Sequence, residues 1–130
     1  MTSDSQDVAI LGGAVSGLAA ATKLHEIDRI DDIRIFERQE YDEKRVNCGE
    51  AINDSTLIPL EKTQTNGFLN NVDGFQLRVY TGIDRDSSEP PLGISNLQCD
   101  AGYICDRGLV EAKWADALAN QGVSFETGSS

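Results

Sequence analysis

Four consecutive apolar residues, Val8-Ala9-Ile10-Leu11, run straight into the segment Gly12-Gly13-Ala14-Val15-Ser16-Gly17, and few folds accept that order. A short continuous apolar run reads as a strand buried on both faces of a parallel sheet. From Ser16 to about Ile27 the chain is rich in alanine and leucine, with Leu18, Ala21 and Leu24 at helical spacing. After the polar stretch Asp28-Arg29-Ile30-Asp31-Asp32, a second strand is expected over Ile33 to Glu37. Strand, glycine turn, helix and strand make a βαβ unit over residues 7–37, about 30 residues, as a parallel crossover requires. The fold class is therefore α/β, with a Rossmann-like βαβ start.

The glycine segment fits the dinucleotide fingerprint, with Ala14 in the place of its second glycine. Gly12 permits the tight turn out of the strand, and Gly17 lets the helix pack closely against the sheet. Backbone N–H groups at the helix start are then available to a pyrophosphate. The Ala14 methyl crowds that approach slightly. Glu37, 25 residues after Gly12, closes the second strand where a carboxylate accepts hydrogen bonds from ribose hydroxyls. It would repel a 2′-phosphate, which argues against NADP.

Beyond this unit, Arg38 to Asn71 is polar and loosely periodic, with room for a short helix near Gly49 to Asn53. Phe75 to Tyr80 alternates apolar and polar residues, as a strand with one buried face does, and a loop from Asp84 to Leu92 follows. Gly102 to Cys105 reads as a short strand. A helix starting near Asp106 and ending before Gly122 would present Val110, Trp114, Ala117 and Leu118 on one face, with Val123 to Glu126 as a further strand.

Charge and cysteine content narrow the function. The 22 acidic residues against 11 basic ones leave a net charge of −11, which argues against nucleic acid as a partner. The acids are scattered, as on a solvated surface adapted to high salt, where at about 1 M the Debye length falls to roughly 3 Å. Poor stability in low salt is the expectation. Cys48, Cys99 and Cys105 form no CxxC pair and His25 is the sole histidine, too few ligands for a zinc site. The odd cysteine count and the lack of a signal peptide favour the cytoplasm. No apolar run approaches the roughly 20 residues of a membrane span, although peripheral membrane contact stays open.

Arg45-Val46-Asn47-Cys48-Gly49-Glu50 sets a guanidinium, a thiol and a carboxylate within six residues, and taken alone it reads as a polar surface loop. Arg107, in the first turn of the second helix, is as well explained by a solvated side chain as by a phosphate contact. Trp114 reads as a core anchor, and Cys99 and Cys105 as packing residues.

Together, the amino-terminal fingerprint, Ile35-Phe36-Glu37-Arg38, Cys48-Gly49-Glu50 and Gly102-Tyr103-Ile104-Cys105-Asp106-Arg107 resemble the geranylgeranyl reductase family of flavoproteins. That resemblance covers most of the chain and implies an FAD-binding domain of the aromatic-hydroxylase type. Its charge balance suits an acidic, salt-adapted archaeal member. It implies that Gly12, Gly13, Ala14, Gly17, Glu37 and Arg38 fall on the adenosine and pyrophosphate site, and Arg45 and Arg107 near the phosphates or ribityl chain. Cys48 and Gly49 would lie beside the isoalloxazine, in a flavin-proximal loop over residues 45–53, with Cys48 or a water as the proton donor. Substrate-side strands would start over 73–81, followed by a strand and helix over 102–121. The implied chemistry is saturation of isoprenoid double bonds in a lipid substrate, supplied by an external electron donor. The family's later Gly-Asp segment and aromatic-rich substrate segment are absent, so an incomplete domain, inactive alone, is the expectation. An FAD-dependent monooxygenase and a noncatalytic nucleotide-binding fragment are the alternatives.

Overall fold

The computed structural model describes residues 6–46, 48, 50–81 and 89–128, with Gln6 described by its backbone alone. Two three-stranded sheets are present among these residues. The first is wholly parallel and runs in the order β1 (Gln6–Leu11), β2 (Ile30–Glu37), β6 (Ser124–Thr127). The second is antiparallel, in the order β3 (Ala51–Ile52), β5 (Gly93–Cys105), β4 (Phe68–Val79). Helix α1 (Val15–Leu24) connects β1 to β2, and α2 (Arg107–Asn120) carries the chain from β5 to β6.

The parallel register explains the core. Val8 lies opposite Ile33, and Ile10 opposite Ile35, which in turn faces Phe125. Residues opposite one another share a face, so these five side chains line one side of the sheet. Leu18 and Ala21 of α1 and Val110, Trp114 and Leu118 of α2 join Ile33 and Ile35 in a single buried cluster. Both helices therefore pack on that side. Trp114 fastens them together by donating its Nε1–H to Thr22 Oγ1 at 2.9 Å. Asp106 caps α2, its Oδ1 accepting the Leu109 N–H at 3.0 Å, so the sequence start of this helix is one residue before its first turn.

Five expectations are corrected. The first strand is covered on one face only: Ala9 is exposed and Leu11 is 86% exposed, because both helices lie on the side of Val8 and Ile10. The first helix ends at Leu24, short of Ile27, and the chain leaves it through turns bonded Glu26 N–H to Lys23 O and Ile27 N–H to Leu24 O. Ala51–Ile52 forms a strand paired with Tyr103 and Ile104, not a helix, and the Asp54 carboxylate then turns the chain by accepting the Thr56 N–H. Phe75 to Val79 is extended and paired as expected, yet Phe75, Leu77 and Val79 are about half exposed. Their side of the ribbon, shared with Leu97, is left partly open to solvent. At its root the same ribbon is well packed: Phe68 is buried and meets Tyr103 edge to face at 5.3 Å. The short strand expected at Gly102 to Cys105 is the end of the longer β5. Most of the loop from Asp84 to Leu92 lies outside the described residues. No helix among those described is long and apolar enough to cross a membrane.

Candidate functional site

The turn between β1 and α1 brings the two glycines and the terminal carboxylate of β2 together. Gly12 has φ +103°, a conformation that side-chain-bearing residues rarely adopt, and a methyl group added there would meet nothing within 4 Å. Its N–H bonds Phe36 O at 2.8 Å, which pins the turn to β2. Gly17 is required for a different reason: a methyl there would collide with the Gly12 carbonyl oxygen, so α1 starts as close beneath the turn as backbone allows. Ala14 is the cap residue of α1 and supplies no side-chain acceptor, leaving the first-turn N–H groups without one from the cap.

Glu37 is the centre of the site. Its Oε2 accepts the Gly13 N–H at 2.8 Å and lies 3.0 Å from Lys44 Nζ, while Oε1 accepts the Gln39 N–H at 3.0 Å. Burial pushes this carboxyl up, but the Gln39 and Gly13 amides and the Lys44 ammonium outweigh it and hold the group below the ordinary carboxylate range. Tyr41 closes the turn from outside by donating its hydroxyl to Gly13 O at 2.6 Å. Burial, reinforced by the Glu37 and Glu111 carboxylates, pushes the Tyr41 phenol far up, so it stays a neutral donor.

Glu37, Gly12, Phe36, Arg38 and Glu126 line an open cleft of about 410 Å³. Arg38 also lines a second cleft of about 520 Å³ with Arg45, Gln39, Glu40, Glu43 and Gly128. The structure thus gathers Gly12, Gly13, Ala14, Gly17, Glu37, Arg38 and Arg45 around one end of the parallel sheet. Cys48 and Arg107 form a separate pair, Arg107 Nη1 donating to the exposed Cys48 Sγ at 3.1 Å. Gly49 lies outside the described residues.

A line of ion pairs runs between these two groups, and reading the sequence did not find it. Lys44 Nζ sits 3.0 Å from Glu37 Oε2 and 3.1 Å from Glu111 Oε2, and Glu111 Oε1 sits 2.8 Å from Arg107 Nη2. Glu111 is fully buried. Its pairing with Lys44 is an ion pair without hydrogen-bond geometry, and Arg107 Nε is buried with no hydrogen-bond partner among the described residues. Arg107 is thereby neither a solvated side chain nor a free cation: burial opposes its charge, and Glu111, with Cys48, more than restores it. A signal was present in the sequence. Glu111 falls four residues after Arg107 and in phase with Trp114, Ala115 and Leu118, a charge set on an apolar stripe. Cys105 is buried at the end of β5 with its thiol pushed up by burial, as a packing residue.

No family model and no curated protein matches the chain. Solved structures do. A geranylgeranyl bacteriochlorophyll reductase-like protein from Thermoplasma acidophilum aligns with a TM-score of 0.65 at 22% identity, covering 96% of this chain and 30% of that one. FqzB aligns with a TM-score of 0.59 at 16% identity, covering 94% of this chain and 28% of its own. This chain spans less than a third of the length of either. At these identities the likeness establishes the fold: a mixed α/β unit on a parallel sheet, similar in structure to a reductase-like protein of that description.

Proposed function

We propose that the chain is the dinucleotide-binding part of a flavin-dependent oxidoreductase and that its cofactor is FAD. The observation that carries this reading is Glu37 at the end of β2, hydrogen-bonded by the Gly13 N–H at 2.8 Å beside a positive-φ Gly12 and a helix start with no side-chain cap. The residues suit the group. The space above Gly12 is open to a phosphate, and the cleft beside Glu37, at about 410 Å³, falls in the size range of small-molecule and cofactor sites. Gly12, Gly13, Ala14 and Gly17 would hold the pyrophosphate, Glu37 the ribose, and Arg38 and Arg45 the phosphates. Cys48, Gly49 and Arg107 would serve the flavin side.

When bound, FAD supplies hydride transfer. The chain's own residues orient the dinucleotide and handle protons. Cys48, exposed and hydrogen-bonded by Arg107, is the side chain from which a proton would reach a substrate. The resemblance to geranylgeranyl reductases makes an isoprenoid or lipid alkene the proposed substrate and an external donor the source of electrons. Both are properties of a protein longer than this chain.

The test is an FAD titration of the purified chain in high salt, followed by bound-flavin absorbance, with Glu37→Ala and Gly12→Val as variants and circular dichroism as the folding control. Saturable binding by the wild type and its loss in both folded variants is expected. A folded wild-type chain that binds no FAD would overturn the reading.

A further inference from the structure

Glu37, Lys44 and Glu111 are almost removed from water, with side-chain exposures of 10%, 8% and 0%. A carboxylate buried to that degree ordinarily takes up a proton unless donors or a counter-charge stabilise the anion. The Gly13 and Gln39 amides are neutral dipoles fixed by the turn, whereas Lys44 brings a full charge. Its ammonium is held from three directions: by Glu37, by Glu111, and over the Tyr41 ring at 5.1 Å from the centroid. Arg107 occupies the other oxygen of Glu111, so Glu111 carries a cation on each side and does not draw Lys44 away from Glu37.

Stability alone is a weak reason for such a chain of charges, because a buried ion pair often stabilises a fold no more than apolar residues of the same volume. The chain of charges ends, however, on Glu37, the buried one of the two carboxylates that line the cleft, Glu126 being half exposed. We propose that Lys44 is a positioning residue of this site, anchored by Glu111, which keeps Glu37 ionised and oriented as an acceptor for a vicinal diol such as a ribose. The titratable groups facing Glu37 are Tyr41 and Lys44 from the segment after β2, Glu111 from α2, and Arg38 and Glu126 around the cleft. The ligand part of this inference rests on the dinucleotide reading above; the charge part does not.

Two measurements on the intact chain separate them. The first follows the Gly13 amide proton shift by NMR without ligand, since that N–H reports directly on the Glu37 carboxylate. The second follows the Kd for FAD over the same range, from about pH 7.5 to about pH 5. Wild type and Lys44→Arg are expected to be flat in both. In Lys44→Met the Gly13 shift should titrate within the range, and Kd should rise by up to about tenfold per pH unit below the same midpoint. Lys44→Gln is the second neutral variant, expected to behave like Lys44→Met. A Gly13 amide that titrates above about pH 5 in the wild type, or that stays flat in a folded neutral variant, overturns the role of Lys44. Absence of FAD binding in the wild type overturns the dinucleotide reading alone, and the amide titration then still decides the inference.

Discussion

Replacing Gly17 with alanine sets two effects of opposite sign against each other. In a helix interior the change normally stabilises by about 1 kcal/mol, because alanine has less backbone freedom to lose. Here the added methyl would run into the Gly12 carbonyl oxygen and stand 3.2 Å from Ile10 Cγ2. The carbonyl has little room to yield, since Gly12 is fixed by its bond to Phe36 O and by its positive φ. Helix α1 must instead move outward by on the order of 1 Å to recover ordinary contact distances. That movement loosens Leu18 and Ala21, both fully buried in the core. Overpacking of this kind typically costs about 1–3 kcal/mol and more when backbone is the obstacle, so the clash wins and a net loss of about 2 kcal/mol is expected. For a domain of this length that is a Tm lower by roughly 8 °C. Urea unfolding followed by Trp114 fluorescence and by circular dichroism measures it, with an unchanged m-value showing that only stability moved. A variant about 1 kcal/mol more stable than wild type would refute the close-approach argument.

Trp114→Phe should destabilise by about 2–3 kcal/mol, combining the lost hydrogen bond to Thr22 with the space left between the two helices. Thr22→Val should cost less in that background than in the wild type, which a double-mutant cycle on unfolding free energies detects. Acid should also weaken the fold through Glu37. Its carboxyl is held below its ordinary value of 4.5, so the stabilisation is complete above that value and is lost as pH falls through the folded-state one. Denaturation midpoints compared at about pH 6 and about pH 3.5 should drop for the wild type by more than for Glu37→Gln; equal drops would contradict the hydrogen-bond assignment.

The βαβ unit was legible because its determinants are local. An apolar run, two glycines with distinct backbone duties, a helical repeat of Leu18 and Ala21, and a closing glutamate all sit within the first 37 residues. The second helix was legible for the same reason, from Asp106 as cap to Val110, Trp114 and Leu118 as its stripe. What the pattern could not carry was which faces are covered. Val8-Ala9-Ile10-Leu11 and Phe75 to Val79 have the composition of buried strands, but burial is decided by where α1 and α2 lie, and Leu11 stays 86% and Leu77 52% exposed. The ion-pair line was hidden for a related reason. Lys44 and Glu111 are 67 residues apart in the chain, and only the folding of α2 against the end of β2 makes them neighbours.

The pairing of β2 with β6 has a consequence for the order in which the molecule can assemble. Thr22 and Trp114, which join the two helices, are 92 residues apart, and Glu40 and Thr127, beside the last rung of the parallel sheet, are 87 apart. The β1-α1-β2 unit can therefore form early from local contacts, while one edge of β2 waits for a strand at the far end of the chain. Contacts of such long range close slowly, since the entropy of a large loop is lost before any pairing compensates for it. Until β6 arrives, the backbone of Arg34 to Glu37 is an unpaired edge bearing Ile35 and Phe36, and during synthesis that edge is open to joining the wrong neighbour.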